Sequence, residues 1–289
     1  MAAPGGPQAS TALQVQAVTE GSTTPGASAV SLRDVALRFE GGRDGSDYLA
    51  LQSVHLQVRD GEFFCLLGPS GCGKTSLLNL VAGFLSPTAG EVQVQGQSVK
   101  CPHRDRGVVF QSDRALFDWL TVEENVSFGP RMLGVSETVW RPDVESMLRL
   151  VGLWDHRSKL PRELSGGMKQ RVQIARVLAN DPDILLMDEP FAALDAHTRA
   201  HLQKEVSRIW SASRRTVLFV THDIAEAIWL ADRIGIMTRG PGSSIGQIFE
   251  VTLPRPRARM TAAFIDLFNQ LSEAIDQQAG VSPLVETRA

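Results

Sequence analysis

Phe63-Phe64-Cys65-Leu66-Leu67-Gly68-Pro69-Ser70-Gly71-Cys72-Gly73-Lys74-Thr75-Ser76 decides how this chain folds. Its first five residues are apolar without alternation, as in a strand buried on both faces of a parallel sheet. The next eight fit the pattern G-x-x-x-x-G-K-[ST] between a strand-like run and a helix-like one, the context that gives the pattern meaning. Small residues with free N–H groups ahead of a helix make an anion site. Gly68, Pro69, Ser70, Gly71, Cys72, Gly73, Lys74 and Thr75 are therefore read as a phosphate cradle. Amides from Gly71 to Thr75 hold the phosphates, Lys74 bridges the terminal ones, the Thr75 hydroxyl ligates Mg²⁺, and Ser76 is a candidate for the α-phosphate.

Two further apolar runs, Ile184 to Met187 and Val217 to Val220, have the same strand character and end at polar clusters beginning at Asp188 and Thr221. Polar chemistry thus gathers beyond the carboxyl ends of the strands, where open α/β sheets bind ligands. The expected fold class is an α/β P-loop NTPase with a mainly parallel core sheet. Val30 to Phe39 and Leu49 to Val58 alternate with period two around Gly41-Gly42 and Asp44-Gly45, which predicts an antiparallel β layer beside that sheet. From Leu116 to about Leu160 the pattern is helical, with Val144, Met147, Leu148 and Val151 on one face. An inserted helical subdomain is expected at about 112–165.

After Ile236, Gly240-Pro241-Gly242 marks a turn, Pro254 and Pro256 break regular structure, and Met260 to Ile275 reads as a closing helix. The expected division is a main domain at 30–255, a C-terminal helix and tail at 256–289, and a disordered tail at 1–29 that is rich in Ala, Gly, Pro, Ser and Thr. No internal repeat is visible.

With 289 residues, 43% hydrophobic and 21% charged, the chain can bury one large core with a smaller subdomain. A formal net charge of -3 gives no electrostatic reason to expect nucleic-acid binding. No run approaches the roughly 18 apolar residues of a spanning helix. Three cysteines, Cys65, Cys72 and Cys101, lack metal-ligand spacing and suggest a reducing compartment. Cys65 reads as core, whereas amides and the Lys74 cation are expected to favour the Cys72 thiolate.

Leu164-Ser165-Gly166-Gly167-Met168-Lys169-Gln170-Arg171 again places small residues before an apolar-periodic segment. One chain carries two halves of a nucleotide clamp. Two copies arranged head to tail satisfy both, each offering Ser165, Gly166 and Gly167 to the nucleotide held by the other's glycine loop. Asp188 and Glu189 end a buried run, where adjacent acids are costly unless used. Asp188 can reach a Mg²⁺ shell and Glu189 can act as general base toward an attacking water; a solvated pair at a strand end is the plainer alternative.

Glycine loop, Gln111, Ser165-Gly166-Gly167, Asp188-Glu189, Asp195 and His222 occur in an order that resembles the ATP-binding cassette (ABC) family over about residues 30 to 255. The resemblance implies ATP as substrate and Mg²⁺ as its ion. It implies that Gln111 senses Mg²⁺ and the attacking water, that His222 contacts the γ-phosphate, and that Asp195 crosses a dimer interface. Read alone, Asp195 is a helix N-cap. An aromatic ring stacks on adenine in this family; Phe39 fits the usual position, with Tyr48 as the other candidate.

Leu116-Phe117-Asp118-Trp119-Leu120-Thr121, Asp188-Glu189-Pro190-Phe191-Ala192-Ala193-Leu194-Asp195 and Thr221-His222-Asp223-Ile224-Ala225-Glu226-Ala227 are similar to bacterial importer ATPases of the nitrate, sulfonate and taurine group. Phe117 and Asp118 depart from the Leu-Leu-Pro-Trp common there. The resemblance implies two transmembrane permease subunits, a second copy of the chain and, indirectly, an extracytoplasmic solute-binding protein as partners. It places the chain at the cytoplasmic face of the inner membrane. Phe117 and Trp119 are candidates for the permease contact and equally for core. A soluble ABC ATPase outside transport is the alternative; such proteins usually carry two cassettes or a long coiled-coil insertion.

Overall fold

A computed structural model describes residues 15–17, 28–41, 46–112, 115–259 and 261–279. In order, the first half forms β1 (Val15–Ala17), β2 (Ser28–Phe39), β3 (Tyr48–Arg59), β4 (Phe63–Leu67), α1 (Lys74–Ala82), β5 (Ala89–Val94), β6 (Gln97–Ser98), β7 (Arg106–Val109), α2 (Val122–Met132) and α3 (Glu137–Leu150). The second half continues with α4 (Gly166–Leu178), β8 (Ile184–Asp188), α5 (Ala196–Ser213), β9 (Thr216–Val220), α6 (Ile224–Leu230), β10 (Arg233–Met237), β11 (Ile245–Glu250) and α7 (Ala262–Ala279).

The three apolar runs are adjacent or near neighbours in one sheet of order β1-β11-β10-β4-β9-β8-β7, parallel from β10 to β7. Their lack of alternation has a direct cause. Successive side chains of a strand point to opposite faces, and both faces here are covered. Phe63, Cys65 and Leu67 enter a core shared with α2 to α7, while Phe64 and Leu66 enter a second core shared with α1 and the antiparallel layer. In the first core, Phe219 lies 5.6 Å from Phe63 and 5.9 Å from Phe191 between ring centroids. Burying each such ring contributes about 1.5–3 kcal/mol.

The predicted antiparallel layer is a sheet of order β3-β2-β5-β6, and Phe39 faces Tyr48 directly across its β2–β3 ladder. Asp44-Gly45 of the expected turn lies outside the described residues, as does Met260 at the start of the closing helix. α1 runs between the two sheets, so Leu77, Leu78, Leu80 and Val81 are all buried and the helix is apolar on more than one side. Val144, Leu148 and Val151 form the buried face of α3 as expected, with Met147 half-buried beside them.

Most of the expected tail at 1–29 lies outside the described residues, which within it are Val15–Ala17, Ser28 and Ala29. β2 begins at Ser28, and Val15–Ala17 pairs antiparallel with Gln247 to Phe249 of β11. An edge strand leaves a row of backbone donors and acceptors unpaired, and any neighbouring extended segment can take them regardless of its composition.

Candidate nucleotide site

The glycine loop connects β4 to α1. Gly71 and Gly73 both have positive φ, +80° and +87°, a region that side chains rarely adopt. Gly73 is the residue before α1 and supplies no side-chain cap, so the first amides of the helix are left for a ligand. A Cβ at Gly73 would stand 2.8 Å from Leu51 Cδ2, which braces the loop against β3. Lys74 is buried, and its Nζ donates to the carbonyls of Gly68 (2.7 Å) and Pro69 (2.9 Å). The cation thus lies folded against its own loop, one side-chain rotation from the space the loop encloses.

Cys72 differs from expectation. It is buried, with Sγ 3.7 Å from Lys74 Nζ, and burial pushes its thiol up despite the nearby cation. Sequence proximity to Lys74 suggested a thiolate; the low polarity around the sulfur outweighs that attraction.

At the far end of β8, Thr75 Oγ1 donates to Asp188 Oδ2 at 2.8 Å. Burial raises the Asp188 carboxyl, with the Thr75 hydrogen bond opposing and neighbouring Glu189 adding to the rise. A hydroxyl and a buried carboxylate within reach of each other are a donor set suited to a hard cation such as Mg²⁺.

Glu189 sits at φ 44°, in the left-handed region, held there by its own N–H donating to Val220 O of β9 at 2.9 Å. Strain of this kind persists only where surroundings fix it. The carboxylate is gripped from two sides: Gln111 Nε2 donates to Oε2 at 3.1 Å, and His222 Nδ1 stands 3.1 Å from Oε1. The solvated-pair reading therefore does not describe these acids. Thr75, Gln111, the Asp188-Glu189 pair and His222 come together from four separate segments.

Gln111 owes its place to two residues that the sequence did not single out. Gln170 and Gln173 of α4 are buried and donate to Phe110 O (3.0 Å) and Ser112 O (2.6 Å), the carbonyls on either side of Gln111. Their i,i+3 spacing after Ser165-Gly166-Gly167 was the available signal. Ser165 itself caps α4, its hydroxyl accepting from Met168 N at 3.3 Å, and a Cβ at Gly167 would stand 3.2 Å from Ala193 O. Asp195 caps α5 by accepting from Thr198 N at 3.0 Å. The plainer reading of Asp195 thus holds within one chain. Phe39 and Tyr48 are both exposed at the β2–β3 end, with the Tyr48 hydroxyl 3.4 Å from the Cβ position of Gly240.

A groove of about 960 Å³, lined by Phe84, Phe110, Met132, Leu133 and Arg176 among others, includes Phe110, the residue before Gln111, and none of the site residues named above. Phe84 and Phe110 stack at 5.7 Å. Phe117 lies 4.6 Å from Phe128 between ring centroids and has the Arg176 guanidinium 5.3 Å from its ring, whereas Trp119 is 75% exposed. Phe117 is therefore closer to core and Trp119 is surface. Asn125, fully buried, fixes this loop: Nδ2 donates to the carbonyls of Phe117, Leu120 and Thr121, and Oδ1 accepts from Phe117 N.

Residues 51–192 match the ABC transporter family. The chain is 48% identical over 213 residues to the taurine import ATP-binding protein TauB of Jannaschia sp. (strain CCS1), covering 74% of this chain and 79% of that one. It is 45% identical over 247 residues to the bicarbonate transport ATP-binding protein CmpC of Synechocystis sp. (strain ATCC 27184 / PCC 6803 / Kazusa), 83% of this chain but 37% of that longer protein. Among solved structures it is similar to the dimeric post-hydrolysis state of the ATP-binding cassette MJ0796 bound to ADP and Pi. That likeness has a TM-score of 0.69 and 31% identity, covering 77% of this chain and 98% of that one.

Proposed function

Because the chain belongs to the family of ABC transporter ATP-binding proteins, we propose that it is the ATP-hydrolysing subunit of a bacterial importer that takes up a small anionic or zwitterionic solute. The observation that carries this reading is the Glu189 carboxylate held between Gln111 and His222 beside the Thr75–Asp188 pair. On ATP binding, the Lys74 ammonium leaves the Gly68 and Pro69 carbonyls for the terminal phosphates, and the uncapped amides of α1 hold the others. Thr75, Asp188 and Gln111 would hold Mg²⁺, which when bound offsets the phosphate charge. Glu189 accepts a proton from the water as its oxygen attacks the γ-phosphorus and the bond to the ADP oxygen breaks. His222 and Gln111 hold that carboxylate in place and meet the γ-phosphate side of the site.

Two copies would close head to tail, with Ser165, Gly166 and Gly167 of each reaching the other's ATP and Asp195 at the crossing. The groove, with Phe84, Phe110, Met132 and Leu133 on its apolar side and Arg104, Asp105 and Arg176 among its polar lining, offers a seat for a segment of one permease subunit on each copy. Among the described residues no helix is long and apolar enough to cross a membrane, so a permease would supply the membrane path. TauB and CmpC, named for taurine and bicarbonate, support the solute class; taurine, an alkanesulfonate or nitrate is the proposed range.

Ser165→Arg tests the closed dimer. The monomer should bind ATP with unchanged affinity, while ATP-dependent dimerisation and hydrolysis are lost; undiminished turnover would contradict the proposal. Growth of a deletion strain on taurine, alkanesulfonates or nitrate as sole source identifies the solute.

A further inference from the structure

Three arginines from one short stretch after β11 dock on the helix that follows His222. Arg257 is buried, and its guanidinium donates to the carbonyls of Ile228, Trp229 and Ala231 at the C-terminal end of α6 and to Val251 and Leu253 on its own segment. A cation there satisfies carbonyls that have no partner within the helix and complements its dipole. Burial brings the Arg257 guanidinium down to about 10, a cost accepted without any carboxylate in direct contact. Arg255 donates to Leu230 O (2.6 Å) and Asp232 Oδ1 (2.9 Å). The stretch is thus clamped to the far end of α6.

Arg259 reaches further. Its Nη2 donates to Gln203 Oε1 of α5 at 2.6 Å, and Gln203 Nε2 donates to Glu226 Oε1 of α6 at 2.7 Å. Glu226 N donates to Asp223 Oδ1 at 3.0 Å, and Asp223 N donates to the Thr221 hydroxyl oxygen at 3.1 Å. Direction matters in this relay. A guanidinium can only donate, so it fixes the Gln203 oxygen toward itself and the amide hydrogens toward Glu226. The Glu226 carboxylate then accepts from Gln203, while its own N–H caps onto Asp223. Gln203, Glu226 and Thr221 are all buried, so an amide turned the other way would set two acceptors face to face with no water to compensate. Thr221 and Asp223, at the end of the relay opposite Arg259, flank His222, whose ring stands 3.1 Å from Glu189.

We propose that Arg259, acting through Gln203 and Glu226, is a positioning residue that sets His222 against Glu189, so that the segment after β11 forms part of the hydrolytic switch. This rests on the ATPase reading above. The same relay ties α5, which Asp195 caps, to α6, which follows His222. A head-to-tail contact at Asp195 and the placement of His222 then share one hydrogen-bonded element.

Arg259 is exposed, with its guanidinium 5.1 Å from the Trp229 ring, so the fold should tolerate its replacement. In the full-length chain, Arg259→Ala should lower kcat for ATP hydrolysis by roughly 10-fold, since ~1 Å of misplacement at a reacting centre can cost about 100-fold. KM and the affinity for a fluorescent ATP analogue should stay within about twofold, because the glycine loop is untouched. Arg259→Lys, which keeps a donor facing Gln203, should restore most of kcat. An unchanged kcat in Arg259→Ala would overturn the proposal. So would a loss shared with nucleotide affinity, or one that Arg259→Lys does not rescue, because either marks a general structural role. Wild-type protein and Glu189→Gln are run beside these variants. If the wild type turns over no more than Glu189→Gln, the ATPase reading fails; if it does and Arg259→Ala matches it, only the positioning role fails.

Discussion

Gly71 and Gly73 both have positive φ, yet replacing them should have unequal effects. An alanine in the left-handed region costs about 1–2 kcal/mol at either position, and the entropy that a Gly→Ala change removes from the unfolded chain is the same for both. At Gly71 the added methyl meets nothing within 4 Å, whereas at Gly73 it would meet the δ-methyl of fully buried Leu51 at 2.8 Å and Ala50 O at 3.5 Å. Overpacking a filled core costs about 1–3 kcal/mol more. Since roughly 2–4 °C of Tm correspond to each kcal/mol in a domain of this size, Gly73→Ala should melt lower than Gly71→Ala by about 2–12 °C. Differential scanning fluorimetry on the two purified variants measures this, and titration with a fluorescent ATP analogue should show the larger affinity loss for Gly73→Ala. Equal melting shifts would refute the reasoning. They would mean that Leu51 gives way and that the glycine loop is not braced on the antiparallel layer.

Other changes test other contacts. Asn125→Asp keeps the shape but turns a donor toward the carbonyls of Phe117, Leu120 and Thr121 into an acceptor. It should destabilise by about 2–4 kcal/mol and speed amide exchange across residues 117–121. Asp188→Asn should raise the Tm of the nucleotide-free protein while abolishing Mg²⁺-dependent ATP binding. The sign follows from burial: the Asp188 carboxyl is raised above its ordinary 3.8, so the wild type loses stability as pH rises through the raised value, and the amide does not. The Tm gap between the two should therefore close below about pH 3.8 and open toward neutrality; a gap independent of pH would contradict it.

Much of the fold was legible because burial on both faces writes itself into composition. β4, β8 and β9 read as unbroken apolar runs for that reason, and the glycine loop between β4 and α1 carries a pattern with few alternatives. The pairing β2–β3 was legible from period two. Less legible were the short β10 and β11 inside the sheet, which carried no pattern comparable to β4, β8 and β9, and β1, since an edge strand is held by backbone groups that every residue has. The same explanation covers the arginines at 255, 257 and 259, whose partners are largely carbonyls and one amide, none visible as a sequence pattern. Gln170 and Gln173 read as polar residues on a helix, and only the packing of α4 beside β7 reveals that they grip the loop at Gln111. Cys72 failed in the opposite direction. Its neighbours in sequence predicted a thiolate, whereas the buried surroundings raise the thiol.

In the proposed hydrolysis Glu189, clamped by Gln111 and His222, removes the proton from the attacking water. Glu189→Gln preserves shape and removes that capacity, and loss of a general base costs about 10²- to 10⁴-fold in rate. Steady-state phosphate release, measured alongside ATP affinity, should show hydrolysis lowered by at least about 100-fold, nucleotide binding retained and an ATP-bound dimer accumulating. Turnover close to wild type in Glu189→Gln would contradict the account.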